Sequence, residues 1–376
     1  MKLKWVGVGA ILLLGAVLVF LQEYANPSSD QASASTSQPP VVMGPGAADG
    51  EAALKLNAPG VIPVVAEEPP APAAETPPVV DPAPPAAEPD DAGADLPFTG
   101  LSDVLAAMAT LEAEGEIADV AQTLRDEMRS INAPRASARA GLLLAPLTSD
   151  LAERRQLISS ALRQDQVFGP EFEDVGRMLR ELNHGPLNSL HSLVDLTRYT
   201  VVSGDNLWTL CNKRFPALYG VSPEVGLVKL VNGLSGDTLR VGQQLLVPTA
   251  SLAIEVRTRQ HGLTVWLGEA ALAAYRVGLG KEGRTPKTSF TVKVKQEQPP
   301  WYSNGRMIPF GDPENVLGTR WLGFQDEPGA SGFGIHGTTD PDSIGKDRSM
   351  GCIRLRNGEV EELFEYVARG TSVAIL

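Results

Sequence analysis

Two residues near the C-terminal end of this chain could carry out covalent chemistry together. Cys352 stands in SMGCIRL (349–355), with Gly351 directly before the sulfur and Arg354 two places after it. A cysteine attacks as its thiolate, and histidine is the usual acceptor of its proton. The chain has four histidines. His184 and His191 fall in a helical stretch and His261 at a predicted turn. That leaves His336, in GFGIHGTTD, sixteen positions before the cysteine at the end of a predicted strand. A strand, a loop and a return would bring the two side chains together.

The neighbouring residues fit the same chemistry. Gly351 removes a side chain from the path of a substrate, and the backbone amides of Gly351 and Cys352 are candidates to stabilise an oxyanion. Arg354 suits a carboxylate through its planar fork, or an ordinary structural ion pair. Spacing alone leaves Cys352 open between a nucleophile and a buried structural thiol. No metal or cofactor is expected. His336, Asp340 and Asp342 form a loose cluster that reads as loop solvation.

The elements that must position these residues follow from periodicity. From Ser251 onward apolar residues alternate, as in LAIEVRTRQHGLTVWLGEAALAAYRVGLG, with turns at His261-Gly262 and Gly268-Glu269. TSFTVKVK and the closing SVAIL continue the alternation, so 252–376 reads as a mostly β domain with one helix near Glu359 to Ala368. Residues 198–249 read as a βααβ unit with a long FPALYGVSPEVG connection between its helices. Cys211 lies on the first helix as a small buried residue. Residues 98–197 form a helical region of open role. Ile117, Val120, Ala121, Leu124, Met128 and Ile131 mark one helix, and Phe172, Val175, Met178, Leu179 and Leu182 another. Asp150 with Glu153 resembles a capping box between them.

The first hundred residues have a different character. Lys2 and Lys4 precede seventeen uncharged residues, Trp5 to Leu21. As a helix this run would span roughly 26 Å, the lower limit for a membrane anchor, with the body outside the cytoplasm; a cleaved signal segment is the alternative over 1–24. Residues 25–97 hold sixteen prolines, eleven acidic side chains and one basic one, and no aromatic residue. That composition predicts a disordered, extended spacer. It carries most of the net charge of −13, so the remainder is nearly balanced and no nucleic-acid partner is expected. Export also bears on the cysteines. Cys211 and Cys352 fall in separate domains, which argues against a disulfide and for a retained reactive thiol.

Two resemblances add to this reading. YTVVSGDNLW, VNGL and LRVGQQLLVP resemble a LysM module, which implies binding to the glycan backbone of peptidoglycan through the two strand–helix loops. Gly204, Asp205, Asn206, Asn232 and Gly233 are the implied sugar contacts. IHGTTDPDSIGKDRSMGCIRL resembles the signature of the YkuD-type L,D-transpeptidases, and RTPKTSFTVKVKQEQPPWY and PFGDPENVLGTRWLGF extend the likeness across 252–376. The resemblance implies Cys352 as the acyl-accepting nucleophile and His336 as its base. The Gly337 carbonyl would orient the imidazole, and Ser349, Gly351 and Arg354 would shape the site. Met350 stands where many members have histidine, a departure that bears on rate. The implied reaction is acyl transfer from a stem tetrapeptide with release of D-alanine, without a cofactor, and carbapenems are the implied inhibitors. Alternatives are an L,D-carboxypeptidase, a non-catalytic wall-binding scaffold and a cysteine peptidase. The location implied is the cell envelope.

Overall fold

The computed structural model describes residues 101, 105, 117–130, 134–184, 189–303 and 305–376. The anchor and the spacer expected over 1–24 and 25–97 lie outside these residues. Among the described residues no helix is long and apolar enough to cross a membrane.

Four helices come first: α1 (Ile117–Ser130), α2 (Pro134–Leu144), α3 (Leu151–Arg163) and α4 (Glu171–His184). Pro134 opens α2, where a missing N–H costs little. Asp150 caps α3 by accepting from the amides of Ala152 and Glu153. The reciprocal half of the expected capping box is not used. The Glu153 carboxylate instead takes two bonds of 3.0 Å from Arg125 on α1 and one from Thr148. Two parallel bonds between opposite charges are stronger than the single backbone N–H that the helix's own first turn offers the carboxylate.

The βααβ unit follows as β1 (Leu196–Thr200), α5, α6 (Val225–Asn232) and β2 (Gln244–Pro248), with β1 and β2 antiparallel. Helix α5 is built from Leu207–Thr209, a π-helical Leu210–Arg214 and Phe215–Tyr219. The expected long connection is therefore shorter than it reads. FPALY continues the helix because Phe215 is buried against Tyr199, and Gly220 ends it in the left-handed conformation at φ 71°.

The C-terminal part contributes β3 (Leu252–Arg257), β4 (Gly262–Leu267), β5 (Ala270–Arg276), β6 (Leu279–Gly280), β7 (Ser289–Glu297), β8 (Trp301–Ser303) and β9 (Arg306–Ile308). It continues with β10 (Arg320–Phe324), β11 (Gly334–His336), β12 (Asp347–Ser349), β13 (Ile353–Arg354), α7 (Asn357–Tyr366) and β14 (Ser372–Ile375). Eight of these strands form one sheet in the order β13-β11-β10-β7-β14-β3-β4-β5. The last strand enters its middle, parallel to β3 and antiparallel to β7.

Every residue of β4 is buried, which requires cover on both faces of the sheet. One face packs with α7 through Val360 and Leu363 and with α6 through Leu227 and Val231. The other receives the helical region: Trp266, Ala271 and Ala274 share a core with Phe172, Val175, Met178 and Leu179 of α4. Burial of each large side chain there contributes roughly 1.5–3 kcal/mol. The helical region, whose role the sequence leaves open, is thus a layer of the same body.

It also covers an edge. A bulge at Val265/Trp266 leaves Leu272 of the edge strand β5 without a partner on β4. The fully buried Arg155 donates to the Ala271 carbonyl at 2.6 Å, to Ser189 and to Asn183. Asn183 in turn donates to the Leu272 carbonyl at 2.9 Å, and Ser159 accepts from the Ala271 amide. Side chains here take the place of a further strand.

Candidate active site

β11 and β13 are parallel neighbours, with Ile335 opposite Ile353 and His336 opposite Arg354. Side chains alternate along strands, so Ile335 and Ile353 enter the core while His336 and Arg354 belong to the opposite face, and Cys352 stands directly before β13. The strand, loop and return expected between His336 and Cys352 take the form of a parallel pairing. Its intervening loop contains β12, which pairs with β6 rather than with the main sheet.

His336 is 3 % exposed, and its Nδ1 lies 2.5 Å from the Gly337 carbonyl oxygen. That contact makes Nδ1 the donor and leaves Nε2 with the lone pair. Burial pushes the imidazole down to about 4. The Gly337 carbonyl opposes this, the Arg354 charge adds to it, and the Leu317 carbonyl opposes it again. The Trp321 ring lies 5.8 Å from the imidazole, on the register partner of His336 in β10.

Burial pushes the Cys352 thiol up, while a backbone bond from Gly334 and the Arg354 guanidinium pull it back. The thiol donates to the Gly332 carbonyl at 3.9 Å. Among the described residues the buried Nε of Arg354 has no hydrogen-bond partner. Cys211, by contrast, is buried in the small core with its thiol pushed up to about 12. Both cysteines are free.

Ser349 organises the loop that carries the nucleophile candidate. Its Oγ donates to the Cys352 carbonyl at 2.6 Å and accepts from the Gly351 amide at 3.0 Å. Of the two amides expected to receive an oxyanion, that of Gly351 is therefore already engaged. Met350, beside it, is 71 % exposed at the rim. Two further residues carry no reading from the sequence. Asn357 accepts from the amides of Thr338 and Thr319, tying the turn after His336 to the loop before β10. Thr285 holds the carbonyl of Gly351. Among the described residues no cluster of metal-ligating side chains is found.

In the βααβ unit, the implied sugar contacts are largely occupied with building their loops. Asp205 accepts from the Tyr199 hydroxyl at 2.7 Å and the Val202 amide at 2.8 Å, and Asn206 caps α5. Asn232 bonds the amide and the carbonyl of Leu246, joining α6 to β2. Gly204 and Gly233 take positive φ. The exposed aromatic in this neighbourhood is Trp208, which the sequence reading passed over.

Family models match the chain in two places: a LysM domain over residues 199–248 and an L,D-transpeptidase catalytic domain over 251–375. "Putative L,D-transpeptidase YqjB" of Bacillus subtilis is 43% identical over 123 residues, which cover 68% of that protein and 32% of this chain. This chain belongs to the YkuD-type L,D-transpeptidase family. "Putative L,D-transpeptidase YkuD" of Bacillus licheniformis is 31% identical over 150 residues, covering 80% of that protein and 38% of this chain. Among solved structures, an L,D-transpeptidase from Mycobacterium smegmatis matches with a TM-score of 0.29 and 21% identity, covering 64% of that protein and 36% of this chain. L,D-transpeptidase 3 from Mycobacterium tuberculosis, in complex with a faropenem-derived adduct, matches with a TM-score of 0.28 and 20% identity, covering 65% of that protein and 36% of this chain. The chain thus spans slightly less than two thirds of these two solved chains.

Proposed function

We propose that this L,D-transpeptidase acts on peptidoglycan stem peptides through Cys352, and that it works at the cell wall, where the LysM module holds glycan. The observation that supports the reading is the β11–β13 pairing, with His336 opposite Arg354 and Cys352 directly before β13, in a loop fastened by Ser349. With the imidazole held down to about 4, His336 is neutral at cellular pH, and the buried thiol is protonated. Attack and deprotonation are therefore coupled.

Nε2 of His336 takes the thiol proton as the sulfur bonds to the carbonyl carbon at the L-centre of diaminopimelate in a tetrapeptide stem. The tetrahedral intermediate expels D-alanine, whose amine receives the proton from the imidazole, leaving a thioester. An amine from a second stem attacks this thioester and the thiol is regenerated. No nucleotide is consumed, because the bond energy is kept in the thioester. Arg354 stabilises the thiolate and offers its fork to a stem carboxylate. Carbapenems acylate the same sulfur by opening their lactam ring. Binding of polymer by the LysM module raises the local concentration of stems.

The test is intact mass spectrometry of the full chain with disaccharide-tetrapeptide, beside Cys352→Ala. A thioester adduct and a cross-linked dimer, both lost in the variant, are expected. A tripeptide without dimer would make the enzyme an L,D-carboxypeptidase. No product at all, with polymer still bound, would leave a wall-binding scaffold.

A further inference from the structure

Thr285 lies in the connection between β6 and β7, 66 residues from the loop of the nucleophile, and is 4 % exposed. Its Oγ1 accepts from the Gly280 amide at 2.8 Å and donates to the Gly351 carbonyl at 3.0 Å. The contact is tight on every side. A Cβ at Gly280 would stand 2.7 Å from the Gly351 Cα, and one at Gly351 would stand 2.5 Å from the Phe333 ring and 2.9 Å from the Arg284 carbonyl oxygen. Gly351 itself has φ 135°, a conformation closed to other residues without strain.

Four backbone groups flank the nucleophile candidate. Ser349 engages the Gly351 amide and the Cys352 carbonyl, and Thr285 engages the Gly351 carbonyl. For the fourth, the Cys352 amide, no acceptor is found among the described residues. The Gly351–Cys352 peptide is a plane whose C=O and N–H point in opposite directions. A hydroxyl that holds the carbonyl on one side therefore aims the Cys352 N–H to the other. We infer that Thr285 is a positioning residue for the acyl-transfer step: by holding the Gly351 carbonyl it directs the Cys352 amide at the oxygen that becomes negative in the tetrahedral intermediate.

A donor pre-aimed in this way lowers the barrier without moving during the reaction, and loss of a single oxyanion donor typically slows an enzyme about 10²–10³-fold. Thr285 acts one bond further away, so a smaller loss is expected. The inference rests on the thioester reading above, and its test keeps the two apart. The full chain is compared as wild type, Thr285→Val and Thr285→Ser, following acylation by disaccharide-tetrapeptide and, separately, alkylation of the thiol by iodoacetamide. Valine keeps the shape and removes the hydroxyl, whereas serine keeps the hydroxyl.

Expected results are a roughly 10–100-fold slower maximal acylation rate in Thr285→Val with half-saturation unchanged, near wild-type acylation in Thr285→Ser, and equal alkylation in all three. Alkylation passes through no oxyanion, so it separates aim from general damage to the loop. Equal acylation in wild type and Thr285→Val would overturn the inference. So would a loss shared by Thr285→Ser, or one matched in alkylation. Absence of any acyl adduct on the wild type would overturn the transpeptidase reading and this assignment with it.

Discussion

His336 and Arg354 stand opposite each other in the parallel β11–β13 pair, and the guanidinium lowers the pKa of both the imidazole and the Cys352 thiol. One cation therefore shifts both titrating partners in the same direction. Replacing Arg354 with Gln should raise both. At a fixed neutral pH the thiolate fraction falls, and iodoacetamide should alkylate Cys352 more slowly, with the rate–pH curve moved to higher pH. An unmoved curve would place the guanidinium outside the electrostatics of the thiol.

The burial of His336 has a second consequence. Its folded-state value is about 4 against an ordinary 6.5. Between these limits the unfolded chain binds a proton that the folded chain does not. Stability is therefore full above about 6.5 and is lost as pH falls towards 4, by on the order of 3 kcal/mol. His336→Gln should flatten that part of the stability–pH curve in urea unfolding. The acid limb of acylation should likewise lie near pH 4 rather than 6.5.

Gly226 on α6 meets α7 with no room for a side chain: a Cβ there would stand 2.5 Å from the Glu365 carbonyl oxygen. Lys295 closes the same seam, bonding Glu224 at 2.9 Å and the Phe364 carbonyl at 2.8 Å. Gly226→Leu should force α6 away from α7 at a cost of about 1–3 kcal/mol. Activity on intact sacculi should then drop more than activity on soluble disaccharide-tetrapeptide. Equal losses on both substrates would mean that the seam does not couple polymer binding to the reaction.

Arg155 should be among the most sensitive positions away from the site. Burial holds its guanidinium down to about 9, and its donors satisfy Ser189, Asn183 and the Ala271 carbonyl. Arg155→Met should cost about 2–5 kcal/mol by leaving these groups unpaired at the β5 edge. A thermal melt within a degree of wild type would refute the assignment of that edge to the helical layer.

Much of this protein is legible in order along the chain. Alternation marked β3 and β7, because a strand with one solvated face repeats every two residues, whereas β4 and β5, buried on both faces, were bracketed by the turns at His261-Gly262 and Gly268-Glu269. The spacing of Phe172, Val175, Met178, Leu179 and Leu182 marked α4 for the corresponding helical reason. His336 was legible as the candidate partner of Cys352 because so few histidines compete, and the strand that ends at His336 lies beside the one that begins directly after Cys352. The sequence could not place these elements against one another. That β14 enters the centre of the sheet, that Glu153 leaves its own helix for Arg125, and that Asn232 is engaged by Leu246 of β2 are outcomes of contacts between residues apart in sequence. The same is true of Thr285. Nothing local distinguishes its hydroxyl; only the fold brings it to the Gly351 carbonyl and so fixes the direction of the Cys352 amide.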